Sequence, residues 1–159
     1  MSTGGTLNVI GNANVGNLGA TNGVFTANVS AGNVNVTTAV TANVVTANSR
    51  VNVGNTHIAW ATVTTSSTGA NQTIVQFPHN SATAAEFLVK GVDGTAKYSV
   101  QTVQAVTNSS QADYSVFGTV LIGSSPGSLA VNVVGSNIVL QVTPSSANST
   151  VWTVQYRTM

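Results

Sequence analysis

Charge is scarce in this sequence: Asp, Glu, Lys and Arg together make up 4% of its 159 residues, where an ordinary soluble domain carries about 25%. No Lys/Arg stripe is available to neutralise phosphates, which argues against nucleic-acid binding. Cysteine is absent, so disulfides and thiolate metal sites are excluded. No apolar run approaches the roughly 20 residues of a membrane helix, and no membrane insertion is expected. The opening residues, Met1 to Thr6, contain neither a basic cluster nor an apolar stretch of signal-peptide length; they predict synthesis in the cytoplasm without a cleaved signal. Disorder is also disfavoured. It accompanies low hydrophobicity and high net charge, whereas 42% of these residues are hydrophobic and the net charge is +1. Solubility falls to Asn, Ser, Thr and Gln. A surface so poor in ions has little for salt to screen and few groups to titrate, and low net charge gives little protection against self-association.

What is present divides in two. All formal charges (Arg50, Glu86, Lys90, Asp93, Lys97, Asp113 and Arg157) lie at or after position 50, and every aromatic except Phe25 lies in the later part. The leader is repetitive: Asn-Val recurs from Asn8-Val9 to Asn52-Val53, and Thr-Ala-Asn opens at Thr26, Thr41 and Thr46. From Thr26 to Arg50 the text falls into five-residue steps, a short period that indicates a solenoid or fibre. Valine suits a pleated surface, and Gly and Asn supply turns between short strands. About eight such steps would give a single chain only about two square coils, short of the three or so repeats a solenoid needs. Three chains wound together would bury each valine stripe against two others. The expectation is therefore a stalk over residues 1–56, an intertwined, β-helix-like homotrimer whose assembly core is Val9, Val15, Val24, Val29, Val34, Val36 and Val44.

Residues 57–159 read as a compact antiparallel domain. Strands are expected over His57–Thr65, Gln72–Phe77, Ala85–Val92, Ala96–Val106, Asp113–Ile122, Ser128–Val134, Asn137–Thr143 and Thr150–Arg157. Turn signals separate them at Val92-Asp93-Gly94, Asn108-Ser109-Ser110, Ser125-Pro126-Gly127, Gly135-Ser136-Asn137 and Pro144-Ser145-Ser146. Period-two alternation puts Ile138, Leu140 and Val142 on one face of their strand, and likewise Trp152, Val154 and Tyr156. The fold class is all-β, with about eight strands in a sandwich of jelly-roll type. No helix is expected.

Chemistry-bearing residues are few. His57 and His79 are the only histidines, in unrelated contexts, and packing or solvent exposure explains them better than a metal shared between copies on an axis. Glu86, Asp93 and Asp113 are the only carboxylates, and glycoside hydrolysis requires two of them at a controlled separation. Asp93 reads as a hairpin turn residue. Glu86 and Lys90 lie opposite Phe87 and Val89, on a solvated face. Asp113 beside Tyr114 closes a strand or accepts a hydrogen bond. No Gly-x-Ser-x-Gly elbow occurs, and the glycines from Gly11 to Gly19 lack the Lys-Ser/Thr ending of a phosphate loop. Trp60, Trp152, Tyr98, Tyr114 and Tyr156 would form a sugar-stacking platform if several were exposed, although the alternation around Trp152 and Tyr156 favours burial. Neither an enzyme nor a cofactor is expected. An ice- or mineral-binding surface would need threonines in register on one flat face, which Thr37 and Thr38 among Thr26, Thr41 and Thr46 do not clearly supply.

The segment from Asn137 to Pro144, followed by Ala147, Ser149-Thr150-Val151 and Arg157, resembles the closing pattern of a β-domain at the C-terminal ends of fibre and virion proteins of tailed phages, especially those of marine cyanobacteria. Glu86 to Val89, Tyr98 to Val103, Asp113-Tyr114 with Phe117 to Thr119, and Ser128-Leu129 with Asn132 extend the resemblance over roughly residues 60–159, and the leader is similar to the stalk repeats that precede such domains. The order of elements carries the likeness rather than any single motif. The resemblance implies a structural or host-contacting role in a virion assembled in the host cytoplasm. It further implies other virion proteins as partners, a host-surface glycan or receptor as a second possible contact, and no catalytic residues.

Overall fold

In a computed structural model of the chain, the described residues are 36, 39–42, 44–94 and 97–159. The chain divides into two units, Met1–Asn43 and Val44–Met159. Of the expected stalk core, Val36 and Val44 are exposed; Val9, Val15, Val24, Val29 and Val34 lie outside the described residues.

The second unit is all-β. Nine strands follow one another: β1 (Arg50–Val53), β2 (Thr56–Thr65), β3 (Gln72–Pro78), β4 (Ala84–Asp93), β5 (Lys97–Thr107), β6 (Ala112–Ile122), β7 (Gly127–Val134), β8 (Asn137–Pro144) and β9 (Thr150–Thr158). They form a six-stranded sheet in the order β1-β2-β9-β4-β5-β6 and a three-stranded sheet in the order β3-β8-β7. Every ladder is antiparallel. No helix occurs among the described residues.

The alternation in sequence becomes the two faces of each strand. Phe87 and Val89 of β4, Val103 of β5, and Trp152 and Val154 of β9 point inward from the larger sheet. They meet Val75 of β3, Leu129 and Val131 of β7, and Ile138, Leu140 and Val142 of β8. Phe77, Phe87 and Tyr156 gather at one place in this core, with ring centroids 6.0–6.4 Å apart, a spacing at which aromatic pairs add to area burial. Trp152 is fully buried, and its Nε1 donates to Thr65 Oγ1 at 3.0 Å.

Turn chemistry fixes the register. Gly54-Asn55 joins β1 to β2 and Gly135-Ser136 joins β7 to β8, each with glycine at positive φ in the first central place, as a two-residue type II′ hairpin requires. Between β5 and β6, Asn108 Oδ1 accepts from the amides of Ser110 and Gln111. The larger sheet starts at Arg50, upstream of the expected boundary at 56/57, because the Asn-Val step at Asn52-Val53 pairs with β2.

Candidate functional site

The titratable residues do not converge. Glu86 and Asp93 sit at opposite ends of β4 and on opposite faces; seven residues of strand separate them by about 23 Å. Asp113 lies two strands from Glu86 and two residues out of row, which places their Cα atoms about 12 Å apart on ordinary sheet spacings. Glu86 Oε2 accepts from Arg157 Nε at 2.7 Å, a cross-strand pair whose partners are both partly solvated and whose contribution to stability is modest. Asp113 Oδ1 accepts from the Tyr114 amide. His57 is half-buried on β2, while His79 follows β3 and donates its amide to the Ser136 carbonyl. Among the described residues no group of three His, Cys, Asp or Glu could hold a metal ion.

Asp93 departs from its reading as a simple turn residue. It closes β4 with its side chain buried. Oδ2 accepts from Ser146 Oγ at 2.9 Å, Oδ1 accepts from Asn148 Nδ2 at 3.2 Å, and Lys97 Nζ lies 3.6 Å away. The Ser146 hydrogen bond first, then Asn148 and the Lys97 charge, hold its carboxyl below the ordinary value of 3.8 against the opposing effect of burial. The carboxylate thus pins the loop between β8 and β9 to the end of β4. A depressed folded-state pKa contributes stability that is present above the unfolded value and is lost as pH falls through the folded one. The thermal midpoint of the wild-type protein is therefore expected to fall more steeply than that of Asp93→Asn as pH is lowered from about 6 to about 2. Parallel acid limbs in the two proteins would refute this role.

The aromatic candidates separate cleanly. Trp152 is in the core and Tyr156 is half-buried against Phe77. Trp60, Tyr98 and Tyr114 are exposed, Trp60 at 49%. Trp60 and Tyr98 lie on the outer face of the six-stranded sheet, where the ladders set side chains in rows. Trp60, Gln155, Leu88, Thr102 and Phe117 form one row across β2, β9, β4, β5 and β6; Thr62, Thr153, Lys90, Val100 and Val120 form the next. A shallow depression of about 350 Å³ is bordered by Ile58, Glu86, Leu88, Thr102, Gln155 and Arg157. Ile58, Leu88, Val100, Phe117, Val120 and Ile122 all stand exposed on this face. Such a face offers apolar contact with scattered amides and hydroxyls, the chemistry of docking.

Sequence reasoning singled out Trp60 and Tyr98 but not these apolar neighbours. The available signal was in β6, where Val116-Phe117 and Val120-Leu121-Ile122 place apolar residues on both faces instead of alternating. A strand buried on one side only does not need both.

The sequence matches no protein-family model and no curated protein. Among solved structures it is similar to the tailspike protein gp49 of Acinetobacter baumannii bacteriophage Fri1, a capsular polysaccharide depolymerase, at 13% identity and a TM-score of 0.39. The match covers 69% of this chain, which spans about a fifth of that one, 19%.

Proposed function

We propose that this chain is a structural component of a bacteriophage virion, a homotrimeric fibre or capsid decoration protein attached through its N-terminal repeats. The β-domain, in which β2 pairs with β9 and β3 with β8, forms the body of the protein. One observation carries the assembly part of this reading: a chain with 4% charged residues exposes large apolar side chains across one entire sheet face, a surface suited to being covered. The virion part rests on the resemblance of Asn137–Arg157 to the closing strands of phage fibre domains. Its action is mechanical and requires no catalytic group; its partners are sister chains and other virion proteins. Light scattering of the purified full chain is expected to give three times the mass of 16.0 kDa; a folded monomer at micromolar concentration would overturn the reading.

A second reading, a glycan- or receptor-binding module at a fibre tip, is favoured by one observation. Trp60 is exposed and in register with Gln155, pairing a flat apolar ring with an amide. This reading needs the outer face of the larger sheet to remain open to solvent.

A further inference from the structure

Exposed large apolar side chains are distributed unevenly over the β-domain. On the strands, all of them except Val134 belong to the six-stranded sheet. The outer side of the three-stranded sheet instead presents Thr73, Gln76, Ser128 and Asn132. The exposed large apolar side chains are thus concentrated on the six-stranded sheet, interspersed with polar ones.

We propose that the outer face of the six-stranded sheet is covered by further copies of this same chain, arranged head to tail about an axis parallel to the strands. The inference rests on the trimeric reading and adds to it the surface through which the copies meet. Area is the first argument. The exposed apolar side chains of this face, from Ile58 and Trp60 on β2 to Val120 and Ile122 on β6, amount to on the order of 1,000 Å². Although polar residues stand between these side chains, their sum is comparable with the about 800 Å² that each partner of a stable complex buries.

Charge is the second argument. Glu86 and Arg157 neutralise each other within the chain, and the other charges on the strand rows of this face, Lys90 and Asp113, are of opposite sign, so the face carries no net charge. Nothing there selects a charged partner, and little repels an identical copy.

Strand direction is the third. The five ladders between β1 and β6 are all antiparallel, so these two edge strands run in opposite senses. Rotation about an axis along the strands preserves their direction. It therefore brings β6 of one copy beside β1 of the next antiparallel, the pairing used throughout the sheet, and repeated head-to-tail contacts of this kind close a ring. β6 is suited to such a contact. Its residues from Asp113 to Ile122 are all exposed, and it carries neither the lysine nor the proline that usually guards a free edge.

The absence of native cysteine permits a direct test. Val120→Cys places a thiol on the proposed interface, and Val134→Cys places one on the three-stranded sheet; both positions are exposed in the single chain. Each full-length variant is weighed by light scattering and then reacted with a maleimide. In an assembled protein, Val120→Cys is expected to react at least roughly tenfold more slowly than Val134→Cys, because access controls thiol reactivity, and the difference is expected to vanish in denaturant. Ile122→Cys should behave as Val120→Cys does. Equal reactivity in a confirmed trimer overturns this interface, leaves the assembly reading standing and opens the face for a saccharide. A folded monomer overturns both.

Discussion

Replacing Trp152 with alanine is expected to remove about 3–5 kcal/mol of stability, the usual cost of deleting a large aromatic from a packed core. Trp152 has no exposed surface, and it belongs to the single cluster in which both sheets meet. The truncation also strands Thr65 Oγ1, which is buried and accepts the indole Nε1 hydrogen at 3.0 Å; a buried polar group left without its partner costs about 1–3 kcal/mol. Domains have a total of only about 5–15 kcal/mol, so the variant should unfold at a urea concentration lower by a molar unit or more, given slopes of about 1–3 kcal/mol per molar. Trp152→Phe separates the two contributions. It retains most of the apolar volume while removing the indole donor, and is expected to fall between the two. Because assembly would make the transition depend on concentration, all three proteins must be compared at one concentration. An unchanged midpoint for Trp152→Ala would mean that this side chain does not join the sheets as described.

The eight strands of the β-domain were legible because their signals are local. At β8 and β9, apolar residues alternate or run between turn-forming pairs, and Gly135-Ser136 carries the backbone preference of a two-residue hairpin. β1 was not legible, since Arg50–Val53 repeats the Asn-Val text of the leader and becomes a strand only by pairing with β2. Asp93 misled for a related reason. Val92-Asp93-Gly94 has the composition of a turn, and the partners that bury its carboxylate, Ser146 and Asn148, lie 53 and 55 residues further along. Local pattern reports which residues can turn or alternate. It does not report which loop will close over which strand end.

The candidate face illustrates the same limit. Alternation assigned the inward residues of β4 and β9 correctly, because polar residues mark most of the outward positions there, Glu86, Lys90, Thr153 and Gln155, even though Leu88 and Val151 also face outward. In β6 that contrast disappears. The strand lies at the edge of a sheet six strands wide, opposite a sheet of three, and its inward residues Tyr114, Val116 and Leu121 are exposed as well as its outward ones. Burial within one chain therefore gave β6 no preferred side. Its composition is suited to neighbours that a single sequence does not contain, consistent with the proposed contact between copies.

Gly91→Ala is expected to be nearly as damaging as the loss of Trp152, and for the opposite reason. Gly91 lies on the inward face of β4, directly across the ladder from Trp152. A Cβ added there would fall 2.5 Å from Cζ3 and 2.9 Å from Cε3 of that indole, and 3.0 Å from Pro126 Cγ. None of these atoms is the end of a flexible chain, so the sheet or the ring must move; overpacking of this kind costs about 1–3 kcal/mol and occasionally more. The backbone conformation is not at issue, since Gly91 does not have positive φ. Glycine is needed for space rather than for freedom. It follows that the penalty should disappear once the ring is gone. In the Trp152→Ala background, Gly91→Ala is expected to be neutral or slightly stabilising, giving a coupling energy within the roughly 0.5–3 kcal/mol seen between residues in contact. Additive losses in the double variant would show that Gly91 matters for some reason other than the indole lying over it, and the packing between β4 and β9 would need a different account.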